Sequence, residues 1–289
     1  MKKTLKIILP LVLALTLIGS IMTQASYGVS IGETFTYDVE KSTWNITVDT
    51  DSSSGTGFNF LDVKRAVGTQ FVVEVTAVDP FGVDWEMSIG TDIETGSNSP
   101  WDVLGIAFSL ILPLLFSMGA PGDFNQTEAD LGISVSSLFF VDAEGFSDVF
   151  YEFANTDMEV NITEEVPGIN IDQIGGTFEN TTSTAVFEWH LDASYTNATT
   201  DSDFSGTYVW QYAFDKTDGH MKGYYQKIDY SGTAGGIDFS YKVEQRVEEE
   251  GYNLPAVSAS GLPGFEWFII VPAIALIGGV TIINKKRKA

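Results

Sequence analysis

The sequence predicts a mainly β fold: an antiparallel meander, as a curved sheet or a sandwich, with an apolar inserted segment and one C-terminal transmembrane helix. Two observations predict the sheet. Apolar and polar residues alternate with period two in at least six segments, and no amphipathic crossover helices separate them as a parallel α/β sheet would require. A third predicts the membrane: residues 267–283 are 17 uncharged residues, followed by Lys285, Lys286, Arg287 and Lys288.

Taken in order, the chain begins with a basic stretch (Lys2, Lys3, Lys6), an apolar run over 7–22 and the small-residue site Thr23-Gln24-Ala25. That pattern reads as a secretory signal over residues 1–25, with an uncleaved second span as the competing reading. The ectodomain is expected over 26–250. Phe35, Tyr37 and Val39 share one face of its first strand, and Phe71, Val73, Val75 and Ala77 one face of the next. Val83, Trp85, Met87 and Ile89 follow. In the second half, Ala185, Phe187, Trp189, Leu191, Ala193 and Tyr195 line a long strand, and Tyr208, Trp210, Tyr212 and Phe214 its neighbour. Asp215-Lys216-Thr217-Asp218-Gly219 is a hairpin turn with Gly219 supplying positive φ. Ile237, Phe239, Tyr241 and Val243 alternate with Asp238, Ser240, Lys242 and Glu244 in the last strand. Such strands bury an aromatic face and leave an acidic face in water.

Residues 103–120 break this pattern with 18 uncharged positions. Three readings stand for them: a buried element plugging the sheet's apolar face, an element touching lipid or a partner, or a second span. Pro113 in mid-run and the absence of flanking cations weigh against the span. Residues 251–264 form a short stalk and anchor motif, 265–284 the transmembrane helix and 285–289 a cytoplasmic basic tail. The expected localisation is a single-pass membrane protein with its N-terminal domain outside the cell.

Charge narrows the partners. The 289-residue chain has 15 Lys and Arg against 39 Asp and Glu. The ectodomain holds 8 of the cations and 38 of the acids, a net −30, and from Ala66 to Asp215 there are 25 carboxylates and no cation. This surface repels nucleic acid and favours cationic or basic protein partners. With no cysteine, thiol catalysis and zinc–thiolate sites are excluded. Five sequons, at Asn45, Asn125, Asn161, Asn180 and Asn197, fall on the side expected to be external and mark glycosylation candidates.

Little points to catalysis. His190 lies on a polar strand face and His220 beside a turn, with no nucleophile or phosphate loop placed near them. Neither a catalytic residue nor a cofactor is expected. Two Asp clusters have calcium-loop spacing at their start, Asp49 with Asp51 and Asp201 with Asp203. Phe60 and Tyr212 occupy the twelfth positions where the bidentate Glu belongs, so a polar hairpin loop is the plainer reading of both.

The signal, the β-rich ectodomain, Pro263-Gly264-Phe265, the helix and the basic tail together resemble archaeal, Asgard-type, cell-surface proteins with a C-terminal sorting-type anchor. In that family a transpeptidase-like archaeosortase cuts near the tripeptide and attaches lipid, so the resemblance implies an anchor role for Pro263, Gly264 and Phe265. The stretch from Val29 to Val39 is similar to the start of such ectodomains. The stretch from Trp210 to Gly219 resembles one in curved-sheet lipoprotein carriers. Two functions are therefore expected in competition. One is a non-catalytic, glycosylated surface module for binding or coating; the other is a carrier or sensor of an apolar, lipid-like ligand held in a cavity covered by residues 103–120.

Overall fold

The computed structural model describes residues 27–100, 102, 125–155 and 168–257. Its first strands are β1 (Thr34–Val48), β2 (Asp51–Thr56), β3 (Phe58–Phe60) and β4 (Val63–Arg65). β5 (Gln70–Asp79), β6 (Gly82–Ile89) and β7 (Asp92–Asn98) follow. Two helices come next among the described residues, α1 (Gln126–Leu131) and α2 (Ala143–Asn155). Long strands complete the body: β8 (Ile169–Asn180), β9 (Thr184–Asn197), β10 (Ser202–Asp215), β11 (Met221–Ala234) and β12 (Ile237–Glu249).

Ten of these strands make one sheet in the order β7-β6-β5-β1-β12-β11-β10-β9-β8, with β2 added to β1. Its pairings are antiparallel throughout. The fold is thus mainly β as the alternation predicts, with ten antiparallel strands joined in one sheet and β3 paired with β4 apart from it. β1 outruns its neighbours. Thr34 to Asp38 pair with β5, Thr43 to Val48 pair with β2, and the β3–β4 hairpin leaves the sheet between them. Bulges in the pairings of β1, β5, β8 and β10 add local twist.

The core lies on one face. A single cluster runs from Phe35, Tyr37 and Val39 through Trp85, Trp189 and Tyr212 to Val247. Among the described residues, this face is covered by a strap over residues 133–142 followed by α2. Phe139 inserts among Tyr37, Phe71 and Trp85, its ring centroid 4.9 Å from that of Trp85. Phe146 and Phe150, one turn apart on α2, meet Phe214 at 4.6 Å and Phe187 at 4.2 Å.

A buried strap that makes only isolated bridges, Ser134 to Asn59 and Phe140 to His220, must satisfy the rest of its backbone by other means. Asn98 supplies three of these bonds: its amide nitrogen donates to the Ser137 carbonyl at 2.8 Å, and its oxygen accepts from Phe139 N at 2.9 Å and Phe140 N at 3.1 Å. The Tyr212 hydroxyl donates to the Leu138 carbonyl at 3.0 Å, and Ser136 N donates to the Tyr224 hydroxyl at 2.9 Å. Val141 N donates to the Gly219 carbonyl at 2.9 Å, and Met221 N to the Phe139 carbonyl at 2.8 Å.

No helix among the described residues is long and apolar enough to cross a membrane. The expected signal (1–25), the apolar run 103–120, Asn161, the anchor residues Pro263, Gly264 and Phe265, the helix 265–284 and the tail lie outside the described residues.

Candidate functional site

Among the described residues, a group of ionisable side chains gathers where the β10–β11 turn meets the end of β12. Asp215 and Gly219 close the turn, and Gly219, at φ +79°, turns His220 back under the strap. His220 is buried and its ring stacks on Phe35 at 4.2 Å between centroids. Nδ1 lies 2.5 Å from Asp218 Oδ1, and Nε2 lies 3.3 Å from Glu249 Oε1. Glu249 also pairs with Lys222.

Burial alone would push the His220 pKa down. Hydrogen bonds and charge from Asp218 and Glu249 outweigh it, so the imidazole is held up at about 9. Burial likewise works to raise Asp218 and Glu249, but His220 and Lys222 win and hold both carboxyls below their ordinary values. At neutral pH the ring is therefore held as an imidazolium, hydrogen-bonded through Nδ1 to Asp218 and with the Glu249 carboxylate 3.3 Å from Nε2 as its ion-pair partner. The cluster fastens the β10–β11 turn to β12.

His190 is committed in a similar way on the outer face. Its Nε2 lies 2.7 Å from Glu188 Oε1, and Gln211 donates to Glu188 Oε2 at 3.0 Å. Glu188 and Gln211 are both buried, face to face in the β9–β10 register. Nothing in the sequence places the two histidines together, and the structure keeps them in separate clusters.

The calcium candidates fall in turns. Asp49 takes φ +54° in the tight connection between β1 and β2, and Asp201 takes φ +48° just before β10. Aspartate tolerates this left-handed conformation better than most residues, which accounts for its presence there. The carboxylates of Asp49, Asp51, Asp201 and Asp203 belong to exposed residues. Both turns abut the β11–β12 hairpin, since Asp49 N donates to the Asp238 carbonyl and Gly236 N to the Asp201 carbonyl. Among the described residues, no three acidic or histidine side chains are grouped to hold a metal ion.

Of the sequons, Asn45 and Asn180 are exposed on strands. Asn125 caps α1, its oxygen accepting from Thr127 N and Glu128 N. Asn197 is half-buried, donating to the Tyr195 hydroxyl at 2.7 Å and accepting from Thr199 N at 2.9 Å.

A polar row inside the core escapes sequence reading. Tyr224 donates to Gln245, whose amide nitrogen donates to Ser42 Oγ at 3.2 Å, and all three are buried. The only hint in the sequence is Gln245 standing in line with Val243 and Val247, a polar residue on a core face. No protein-family model, curated protein or solved structure matches this chain.

Proposed function

We propose that the chain is a non-catalytic, membrane-anchored cell-surface module, displaying an acidic β body for binding a cationic or basic protein partner or for coating the cell. The observation that carries this reading is the filling of the sheet's apolar face by the chain's own strap and α2, bonded through Asn98, Tyr212 and Tyr224. A face so occupied leaves the outer surface and the hairpin tips as the parts a partner meets. The pairing of His220 with Asp218 and Glu249 adds support for a non-catalytic role. Anchoring, external placement and glycosylation rest on the sequence patterns at the two ends and on the sequons.

Protease added to intact cells tests the topology: it should remove the body and spare a tag placed after Ala289. Loss of the tag would overturn the orientation. The carrier reading has one observation in its favour, the Tyr230 hydroxyl, which is buried in the core and finds no hydrogen-bond partner among the described residues. Native mass spectrometry of the purified full chain separates the two. A bare mass supports the surface module, and a retained lipid-sized adduct supports the carrier.

A further inference from the structure

Beyond β12 the chain does not leave the body freely. Gly251, at φ +81°, reverses its direction, and Tyr252 packs with its ring centroid 5.5 Å from the Lys222 ammonium. Leu254 then turns inward and is 3% exposed, seated on Val186 and Ala213 between Tyr225 and Tyr252. This small apolar notch lies on the outer face and is separate from the main core.

Polar groups grip the same residue from both sides. Leu254 N donates to Glu248 Oε1 at 3.1 Å, and Arg246 donates to the Leu254 carbonyl. Arg246 Nε also donates to Glu248 Oε1 at 2.6 Å, so one charged pair holds both backbone groups of Leu254. Glu248 is itself buried. A linker that served only as a spacer would be solvated along its length. Here one leucine has been given an apolar seat, an acceptor for its N–H and a guanidinium for its carbonyl.

We propose that residues 251–257 are a clip-on strap: the first part of the stalk is docked on the outer face of β9–β12 by Leu254, Arg246 and Glu248, and its release adds slack to the membrane tether. The tether role rests on the anchored reading given above; the clip does not. Its occupant is the chain's own segment, and the seven residues 251–257 would add roughly 23 Å of reach when freed, at about 3.3 Å per extended residue. Because the notch involves a single seated side chain outside the main cluster, it can open without unfolding the sheet.

The test uses the full chain in phosphatidylcholine vesicles and in detergent micelles, with elastase cleavage between residues 252 and 260 followed by mass spectrometry. Cleavage of a transiently opened segment follows the population of the open form, so Leu254→Asp and Arg246→Gln are each expected to speed it about tenfold or more. Wild-type chain cut within about twofold of both variants would overturn the proposal. Far-ultraviolet circular dichroism checks that the variants keep the sheet, and Leu254→Ala, which adds no charge, is the second variant should Leu254→Asp fail to fold. Vesicle flotation is read separately. A chain that stays behind in the dense layer removes the tether role and the anchored reading together, while the detergent arm still decides the clip.

Discussion

The side-chain oxygen of Asn98 accepts the backbone N–H of Phe139 at 2.9 Å, and both residues are buried. Asn98 is the last residue of β7, so one amide side chain ties an outer strand of the sheet to the strap that fills its apolar face. Asn98→Ala leaves two N–H groups and one carbonyl of the strap without their protein partner. The expected loss is about 2–4 kcal/mol, read from the urea unfolding midpoint. A loss near zero would mean that water takes over all three bonds and that the strap is not held through Asn98.

Trp189 and Phe81 make a second, paired test of which side is in. Trp189 is 0% exposed and Phe81 is 80% exposed. Trp189→Ala is expected to cost roughly 3–5 kcal/mol, as large aromatic truncations in a core do. Phe81→Ala should change stability by no more than about 0.5 kcal/mol. Similar costs at the two positions would invert the assignment of faces.

What the sequence makes legible depends on how cleanly the alternation runs. β9 reads without interruption from Ala185 to Tyr195, and each of the inward residues is buried. β8 does not: a bulge between Ile171 and Gln173 shifts Ile174 out of the period, so the strand is hidden in plain view. β2 and β7 are rich in Ser, Thr and acids, with no apolar stripe to give them away. The strap and α2 carried a usable signal in Val135, Leu138, Phe139 and Phe140 followed by Phe146 and Phe150 at i, i+4. That signal is fainter than the uncharged run at 103–120, for which a plug is also expected and which lies outside the described residues. The His220 cluster is only half legible: Asp218 and His220 meet within the turn, two residues apart, but Glu249 reaches them only through the pairing of β11 with β12.

A third prediction concerns a glycine. A Cβ on Gly96 would stand 2.3 Å from Cζ2 of Trp85, which lies across it from the neighbouring strand. Trp85 cannot retreat easily, since its ring meets Phe139 edge to face at 4.9 Å. Gly96→Ala is therefore expected to destabilise by about 1–3 kcal/mol through overpacking. Combining it with Trp85→Phe, which shortens the obstructing ring, should make the glycine change cheaper in a double-mutant cycle. Strict additivity in thermal unfolding would show that the two residues do not compete for that space.

The fourth prediction follows from the charge state of His220. Its pKa is 6.5 when unfolded and about 9 in the folded chain, so folding takes up a proton between those values. The stability it lends is present in full below about pH 6.5 and is lost as pH rises to about 9. Asp218 and Glu249 act in the opposite sense, because their folded pKa values are lowered. Their contribution is complete above the ordinary carboxylate range and is lost as acid protonates them. Between the two limits lies a plateau in which the imidazolium and both carboxylates are charged. Urea unfolding at about pH 6 and about pH 9.5 should differ by at most about 3 kcal/mol for the native chain, given 1.36 kcal/mol per pKa unit. His220→Gln keeps a donor toward one carboxylate but cannot titrate, so its stability should be lower at pH 6 and nearly flat up to the alkaline end. If the variant loses stability with pH as steeply as the native chain, the alkaline sensitivity belongs to some other group and the His220 lock is not its source.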